Sequence, residues 1–293
     1  MPVWVAISLA SAFLQNLRTA LQKTLTPRVG VVGATYARFL FAAPWAVALV
    51  AGLVLVGDDG LPAPTAAFLA WGMVGAVAQI GATLLLLFLF SVRNFAVGNT
   101  FAKTETVQAV LFGFLLLGDQ IGVLALAGIV VSLVGLVMLS AAPGMSVFNK
   151  AAGIGLACGA AFAVAGIGYR AASLALAETG GLMIRPAFTL AYVTIVQSVL
   201  LTGWLWLRRE GGVGKVLREW RIEAMVGAAG MLASLGWFTA FTLVTVAQVK
   251  AVGQVELVFS WLTARYAFGE RPSGRETVGI GLVAGGIFLV ILG

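Results

Sequence analysis

The chain has 293 residues, of which 61% are hydrophobic and only 10% charged, and its mean hydropathy is +1.04. A soluble domain carries about a quarter charged residues, so this composition excludes one and points to a membrane protein. One cysteine (Cys158) and no histidine exclude an internal disulfide and a multi-cysteine metal site, and remove the commonest metal ligand and acid–base group near pH 7.

Apolar runs of about 20 residues recur along the chain, each enough to cross a hydrocarbon core of about 30 Å. They predict ten transmembrane segments, at about 3–24, 29–56, 65–91, 95–117, 120–141, 151–176, 181–207, 222–246, 248–268 and 274–293. The first lacks a basic flank and is interrupted by Gln15, Asn16 and Arg18, so it reads as a retained helix rather than a cleaved signal. Turn chemistry separates the segments: Thr26-Pro27, Asp58-Asp59-Gly60, Gly118-Asp119, Pro143-Gly144, Gly180-Gly181 and Gly269-Glu270-Arg271-Pro272. Arg208 to Arg221 reads as an interfacial segment, and Trp4, Trp45, Trp71, Trp204, Trp206 and Trp220 fall near helix ends as an aromatic belt.

The net charge of +7 belongs to the loops rather than to a nucleic-acid surface. Loops after odd-numbered segments hold Arg28, Arg93, Lys150, Arg208, Arg209, Lys215, Arg218, Arg221, Arg271 and Arg275. The alternate loops hold little beyond Arg185 and Lys250. The bias puts the first set in the cytoplasm and both termini on one side, outside.

Glu105 and Glu256 read as the only acids deep inside apolar segments, and they stand 151 residues apart. The same shift lays Gly118-Asp119 on Gly269-Glu270, Gly128-Ile129 on Gly279-Ile280, and Gly135 on Gly286. The third and eighth segments align through Gly75/Gly230 and Gly81/Gly236 at an offset of 155. The expected architecture is an all-α membrane protein of two five-helix repeats, residues 1–145 and 146–293, around a central cavity. An odd number of helices per repeat makes the two inverted, and inverted repeats hold substrate near the midplane at their interface.

Ionisable groups inside a bilayer are costly and mark pathways or partners. Segment 4 brings Asn99, Lys103, Glu105 and Gln108, and segment 9 brings Lys250, Gln254, Glu256, Ser260 and Thr263. Arg18, Arg38, Lys103 and Arg170 are the cations available to the two acids. Either the acids form buried ion pairs that fix helix register, or they contact a substrate ammonium group or exchange a proton. Segment 1 presents Gln15, Arg18 and Gln22 on one face, with Lys23 and Gln22 read as snorkelling at its end. Tyr36, Arg38, Gln79, Tyr169, Arg170, Tyr192 and Gln197 are further mid-segment polar groups, divided between interhelical contacts and ligand contacts. Trp237, with Ser234 a turn earlier, is either core packing or an aromatic wall for planar substrates. Gly155-x3-Gly159 and Gly281-x3-Gly285 read as tight helix contacts.

The 5+5 pattern, the segment end Leu115-Leu116-Leu117-Gly118-Asp119 and its counterpart Tyr266-Ala267-Phe268-Gly269-Glu270 resemble the drug/metabolite transporter superfamily, specifically EamA-type ten-helix exporters. The turn departs from that pattern in carrying Asp119 where Glu is usual. The resemblance implies helices 1–4 and 6–9 around a cavity, helices 5 and 10 outside it, and termini in the cytoplasm, against the charge bias. It also implies substrates such as amino acids, aromatic ones among them, or quaternary cations.

The expected function is a multi-pass transporter of the bacterial inner membrane, exporting amino acids or other small amphipathic metabolites by alternating access. Its expected partners are the substrate and the bilayer, with no nucleic acid or cofactor, and it acts as a monomer or homodimer. The expected cavity residues are Gln15, Arg18, Tyr36, Arg38, Gln79, Asn99, Lys103, Glu105, Ser234, Trp237, Gln254 and Glu256. A multidrug or organic-cation exporter and an uncoupled channel or lipid scramblase are the alternatives. An intramembrane enzyme is disfavoured by the missing histidine, the missing His-Glu-x-x-His motif and the lack of a membrane Asp pair.

Overall fold

The computed structural model describes residues 2–57, 60–92, 104–140, 150–208, 212–256, 258–259, 262 and 274–293. Regular structure among them is entirely helical. The elements are α1 (Val3–Leu40), α2 (Ala43–Val56), α3 (Ala66–Val92), α4 (Glu105–Leu117), α5 (Val123–Ser140) and α6 (Lys150–Leu174). They continue with α7 (Ile184–Arg208), α8 (Gly212–Arg218), α9 (Trp220–Leu243), α10 (Val246–Gly253) and α11 (Gly274–Leu292). Five stretches are long and apolar enough to cross a membrane: Val3–Val56, Ala66–Leu89, Gly153–Leu174, Ile184–Arg208 and Trp220–Leu243. Large apolar side chains such as Phe114, Val199 and Phe288 face outward, as a lipid-facing surface requires.

The first two predicted segments are two helical arms that meet at a break inside α1. Gly30 leaves helical geometry at φ 76° and ψ 170°, a conformation open to glycine, three residues after Pro27. Gln22 Nε2 donates to the Ala34 carbonyl at 2.9 Å. Twelve residues of straight helix would separate them by about 18 Å, so the chain folds back on itself at Gly30. Gln22 is therefore fully buried in that fold, and not snorkelling at a helix end. A second turn at Phe41-Ala42 divides the expected 29–56 span before α2 begins.

Gly118 ends α4 in the left-handed region at φ 66°. The Gly118 N–H returns to the Phe114 carbonyl, the bond of an αL cap, and the Asp119 N–H returns to that of Gly113. The Gly-Asp pair noted in the sequence is thus a helix stop. Its counterpart at Gly269-Glu270 and the expected boundary at 143–149 lie outside the described residues.

Glycines set the main helix contacts. A side chain at Gly230 would meet Arg18, and one at Gly236 would meet Ser11, so α1 runs antiparallel to α9. On the other side of the molecule Gly75 packs under the ring of Tyr169, Gly72 under that of Tyr192, and Gly227 against Phe41. Cys158 Sγ donates to the Ala82 carbonyl, keeping α3 antiparallel to α6. Helices α5 and α11 touch backbone to backbone: a Cβ on Gly128 would fall 2.5 Å from the Gly286 carbonyl oxygen, and one on Gly135 2.6 Å from that of Gly279. Between them Ser132 Oγ donates to the Val283 carbonyl. Gly281 and Gly285, expected to make such a contact, face open space instead, because α11 turns the Gly279 and Gly286 face to α5.

Gly128→Leu or Gly135→Leu should lower thermal stability in detergent by about 1–3 kcal/mol or more, as overpacking does. Gly285→Leu should change it by less than about 0.5 kcal/mol. Melting curves of the three purified variants check this.

Candidate functional site

A cavity of about 570 Å³, counting its opening, lies between α1, α3, α6, α7, α9 and α10. Among the described residues α5 and α11 contribute nothing to its wall. Five of the residues expected there line it: Gln15, Arg38, Gln79, Ser234 and Trp237. Arg18, Glu105, Gln254 and Glu256 are buried but stand behind the wall. Tyr36 is placed elsewhere. Its hydroxyl accepts from Thr202 Oγ1 at 2.9 Å, and it packs with Leu25, Leu87 and Leu201. Asn99 and Lys103 lie outside the described residues, as do Ser260, Trp261 and Thr263.

Each glutamate reaches the wall through one hydrogen bond. Trp237 Nε1 donates to Gln15 Oε1 at 2.9 Å, and Gln15 Nε2 donates to Glu256 Oε2 at 2.9 Å. The Gln15 amide is thereby held at both ends and fixes the indole edge on the cavity. On the other glutamate, Lys250 Nζ donates to Glu105 Oε2 at 3.0 Å. Lys250 also stands 5.6 Å from the centre of the Trp237 ring and 5.8 Å from that of Phe241, within range of cation–π attraction. Gln254 Nε2 donates to Thr106 Oγ1, tying α10 to α4 a second time.

Lys250 is the main departure from the sequence reading, which placed it both at the head of segment 9 and among the loop charges and left it out of the site. Its side chain is only 10% exposed. It is positioned by a helix restart: α9 ends at Leu243, Val244 is extended, and Thr245 opens α10 with a capping box in which its side chain and that of Gln248 each take a backbone N–H. Arg170 closes the end of α9, donating from Nη1 to the Phe241 and Val244 carbonyls and from Nη2 to Asp119. Carbonyls at a helix C-terminus lack intrahelical donors and attract a cation. Arg170 is therefore not a partner of Glu105 or Glu256, as the sequence allowed.

Tyr169, Thr194 and Gln197 also line the cavity but were not placed there by sequence. Gln197 Nε2 donates to the Tyr169 hydroxyl at 3.1 Å and to the Ala76 carbonyl at 3.2 Å. A signal for Tyr169 did exist, since it lies 151 residues beyond Arg18. The two central glutamates are also not the only buried acids. Glu223, near the start of α9, is fully buried, and its carboxyl oxygens make no hydrogen bond among the described residues. Its place close to the polar Arg208–Arg221 stretch hid it.

Residues 151–292 match the EamA-like transporter family. That match covers just under half of the chain and supports the drug/metabolite transporter superfamily. A crystal structure whose title names no function is similar over 99% of this chain and 96% of its own, with a TM-score of 0.72 and 19% identity. The likeness shows that the two chains share a fold over nearly their whole lengths. No curated protein matches. Together with the five candidate spans among the described residues, the family match supports a multi-pass membrane protein and suggests a transporter of small molecules.

Removing one partner of a buried ion pair costs about 3–5 kcal/mol, because the other charge is left uncompensated. Lys250→Met and Glu105→Gln should each destabilise the fold strongly, and the double variant should recover most of the loss. Thermal unfolding of the two single variants and the double variant measures that coupling.

Proposed function

We propose that the protein exports small amphipathic metabolites, amino acids and aromatic ones among them, across the bacterial inner membrane by alternating access. The observation that carries this reading is a cavity inside the helix bundle whose wall alternates aromatic rings with polar groups. Trp237, Phe238 and Phe241 form one side, while Gln15, Gln79, Arg38 and Gln197 supply hydrogen-bonding and charged groups. Apolar surface with a few placed polar groups is the usual make-up of a small-molecule site. The organic-cation alternative is less favoured, because the charges on the wall, Arg38 and Lys250, are both positive.

In this reading the chain is two inverted five-helix halves, residues 1–145 and 146–293, ten transmembrane helices in all with both termini on one side. Contacts exchanged by the sequence offset support it. Shifting the pair Gly128/Gly286 by 151 residues gives Gly279/Gly135, which is also in contact. The pair Gly75/Tyr169 becomes Gly230/Arg18, and Gly72/Tyr192 becomes Gly227/Phe41, with 155 residues for the glycines and 151 for their partners. Ser132 bonds to its own counterpart, Val283. Contacts that exchange in this way are what a twofold axis lying in the membrane plane produces.

Glu256, held by Gln15, is the group through which a proton would couple to export; facilitated diffusion is the other mechanism this cavity suits. Labelled amino acids should move into proteoliposomes saturably, and Trp237→Ala should reduce the rate at least tenfold. Proton coupling predicts that an imposed pH gradient drives uptake in the parent protein and not in Glu256→Gln. Flux that ignores the gradient and survives that substitution removes the coupling role. For the inverted halves, Cys158→Ser gives a background without cysteine. Single cysteines replacing Gly60 and Gly214 should then label from opposite faces of the membrane.

A further inference from the structure

Two arginines at the cavity stand out by what they lack. Arg38 is 7% exposed and lines the wall, and Arg18, 3% exposed, lies directly behind it. Both stems flank Gly230, which itself lines the cavity: a Cβ there would stand 3.2 Å from Arg18 Cδ and 3.7 Å from Arg38 Cγ. Among the described residues no carboxylate comes within 4 Å of either guanidinium. Arg38 donates from Nη1 to Thr83 Oγ1 at 3.0 Å, and Arg18 from Nη2 to Thr19 Oγ1 at 3.1 Å. Arg18 Nε and Nη1 are buried without a hydrogen bond.

A buried cation that is neither paired nor fully hydrogen-bonded costs several kcal/mol, and two side by side repel each other. Lys250 is different, because Glu105 neutralises it. Among the described residues Arg38 is thus the positive group on the wall that no carboxylate pairs. Glycine at 230 keeps the gap between the two stems open. Next to Arg38 along the wall, Tyr169 and Phe238 lie ring against ring, with centroids 4.2 Å apart.

We infer that Arg38, backed by Arg18 across Gly230, is the docking point for a carboxylate on the transported molecule, whose apolar part lies against Phe238 and Trp237. This assignment rests on the transporter reading and sharpens it: the cavity selects amphipathic carboxylates, and a negative group is required where an ammonium group is optional. Planar guanidinium donors match a carboxylate two bonds at a time, and such charge-assisted bonds are about twice as strong as neutral ones. The ligand would supply the compensation that the described side chains of the wall do not provide.

The test uses four compounds of one shape: phenylalanine, phenylpropionate without the ammonium group, phenylalaninamide without the carboxylate, and phenethylamine with the ammonium group alone. Binding to the purified full-length protein is read by calorimetry, and flux is read in proteoliposomes. Phenylalanine and phenylpropionate should bind, with the amide and the amine weaker by roughly tenfold or more. Arg38→Gln keeps a donor for Thr83 and should abolish the preference for carboxylates while raising the melting temperature of the ligand-free protein. A melting temperature that falls instead, with the preference intact, makes Arg38 a structural residue and overturns the assignment. Gly230→Ala, which narrows the gap without removing charge, should weaken phenylpropionate more than phenethylamine, and equal effects count against the site. Amide or amine binding as tightly as the acids overturns the carboxylate assignment while leaving transport standing. Carboxylate binding that depends on Arg38 without any flux does the reverse, and the absence of both binding and flux removes both.

Discussion

Inside a bilayer there is no water to complete a broken hydrogen bond, so each interruption of a helix must be closed by the protein itself. Three interruptions shape this molecule, and each has its own closure. At Gly30 the chain folds back and the Gln22 amide takes the Ala34 carbonyl. At Gly118 a left-handed glycine cap returns two N–H groups to carbonyls near the end of α4. Between α9 and α10 Arg170 takes two carbonyls while Thr245 and Gln248 cap the restart. The last of these is the most consequential. Without the restart Lys250 would not reach Glu105, and α10 would lose one of the two bonds that tie it to α4.

The charged groups near the cavity fall into two kinds. Lys250 and Glu105 neutralise each other and hold two helices together, and the lysine also lies against the rings of Trp237 and Phe241. Arg38 has a hydroxyl partner but no carboxylate among the described residues. A neutral pair serves architecture, whereas a charge with no carboxylate partner among the described residues leaves its compensation open to a visiting molecule. The same wall thus carries a part that stabilises the fold and a part that works against it.

Much of the fold was legible because burial in lipid leaves coarse marks. Long apolar runs gave the helices, and glycines at matching offsets gave the contacts of Gly75, Gly128, Gly230 and Gly286. What sequence could not resolve was direction within a helix. Gly281 and Gly285 have the spacing of a contact but turn away from α5, while Gly279 and Gly286, seven apart, make it. Gln15, Arg38 and Gln79 were found by polarity alone, since a polar side chain deep in an apolar run must face inward, and Trp237 with Ser234 by its place far from the helix ends. Lys250 and Arg170 were misassigned for one reason. Their roles depend on where α9 ends, and that break falls within the run Thr242-Leu243-Val244-Thr245-Val246, which has no proline or glycine to mark it. Tyr36 shows the converse: it was polar and central in its segment, yet it is paired with Thr202 in a separate cluster.

The α5–α11 contact has a mechanical consequence. Two backbones that meet at glycines, with carbonyl oxygens where side chains would stand, cannot slide along each other, because one residue of travel would drive a Cβ into a carbonyl. They can still rotate about the point of closest approach, where Ser132 meets Val283. The crossing therefore behaves as a pivot pin set to one side of the cavity. Exchange between faces of the membrane would then amount to a tilt about that pin, with the bulk of the displacement at the far helices and almost none here.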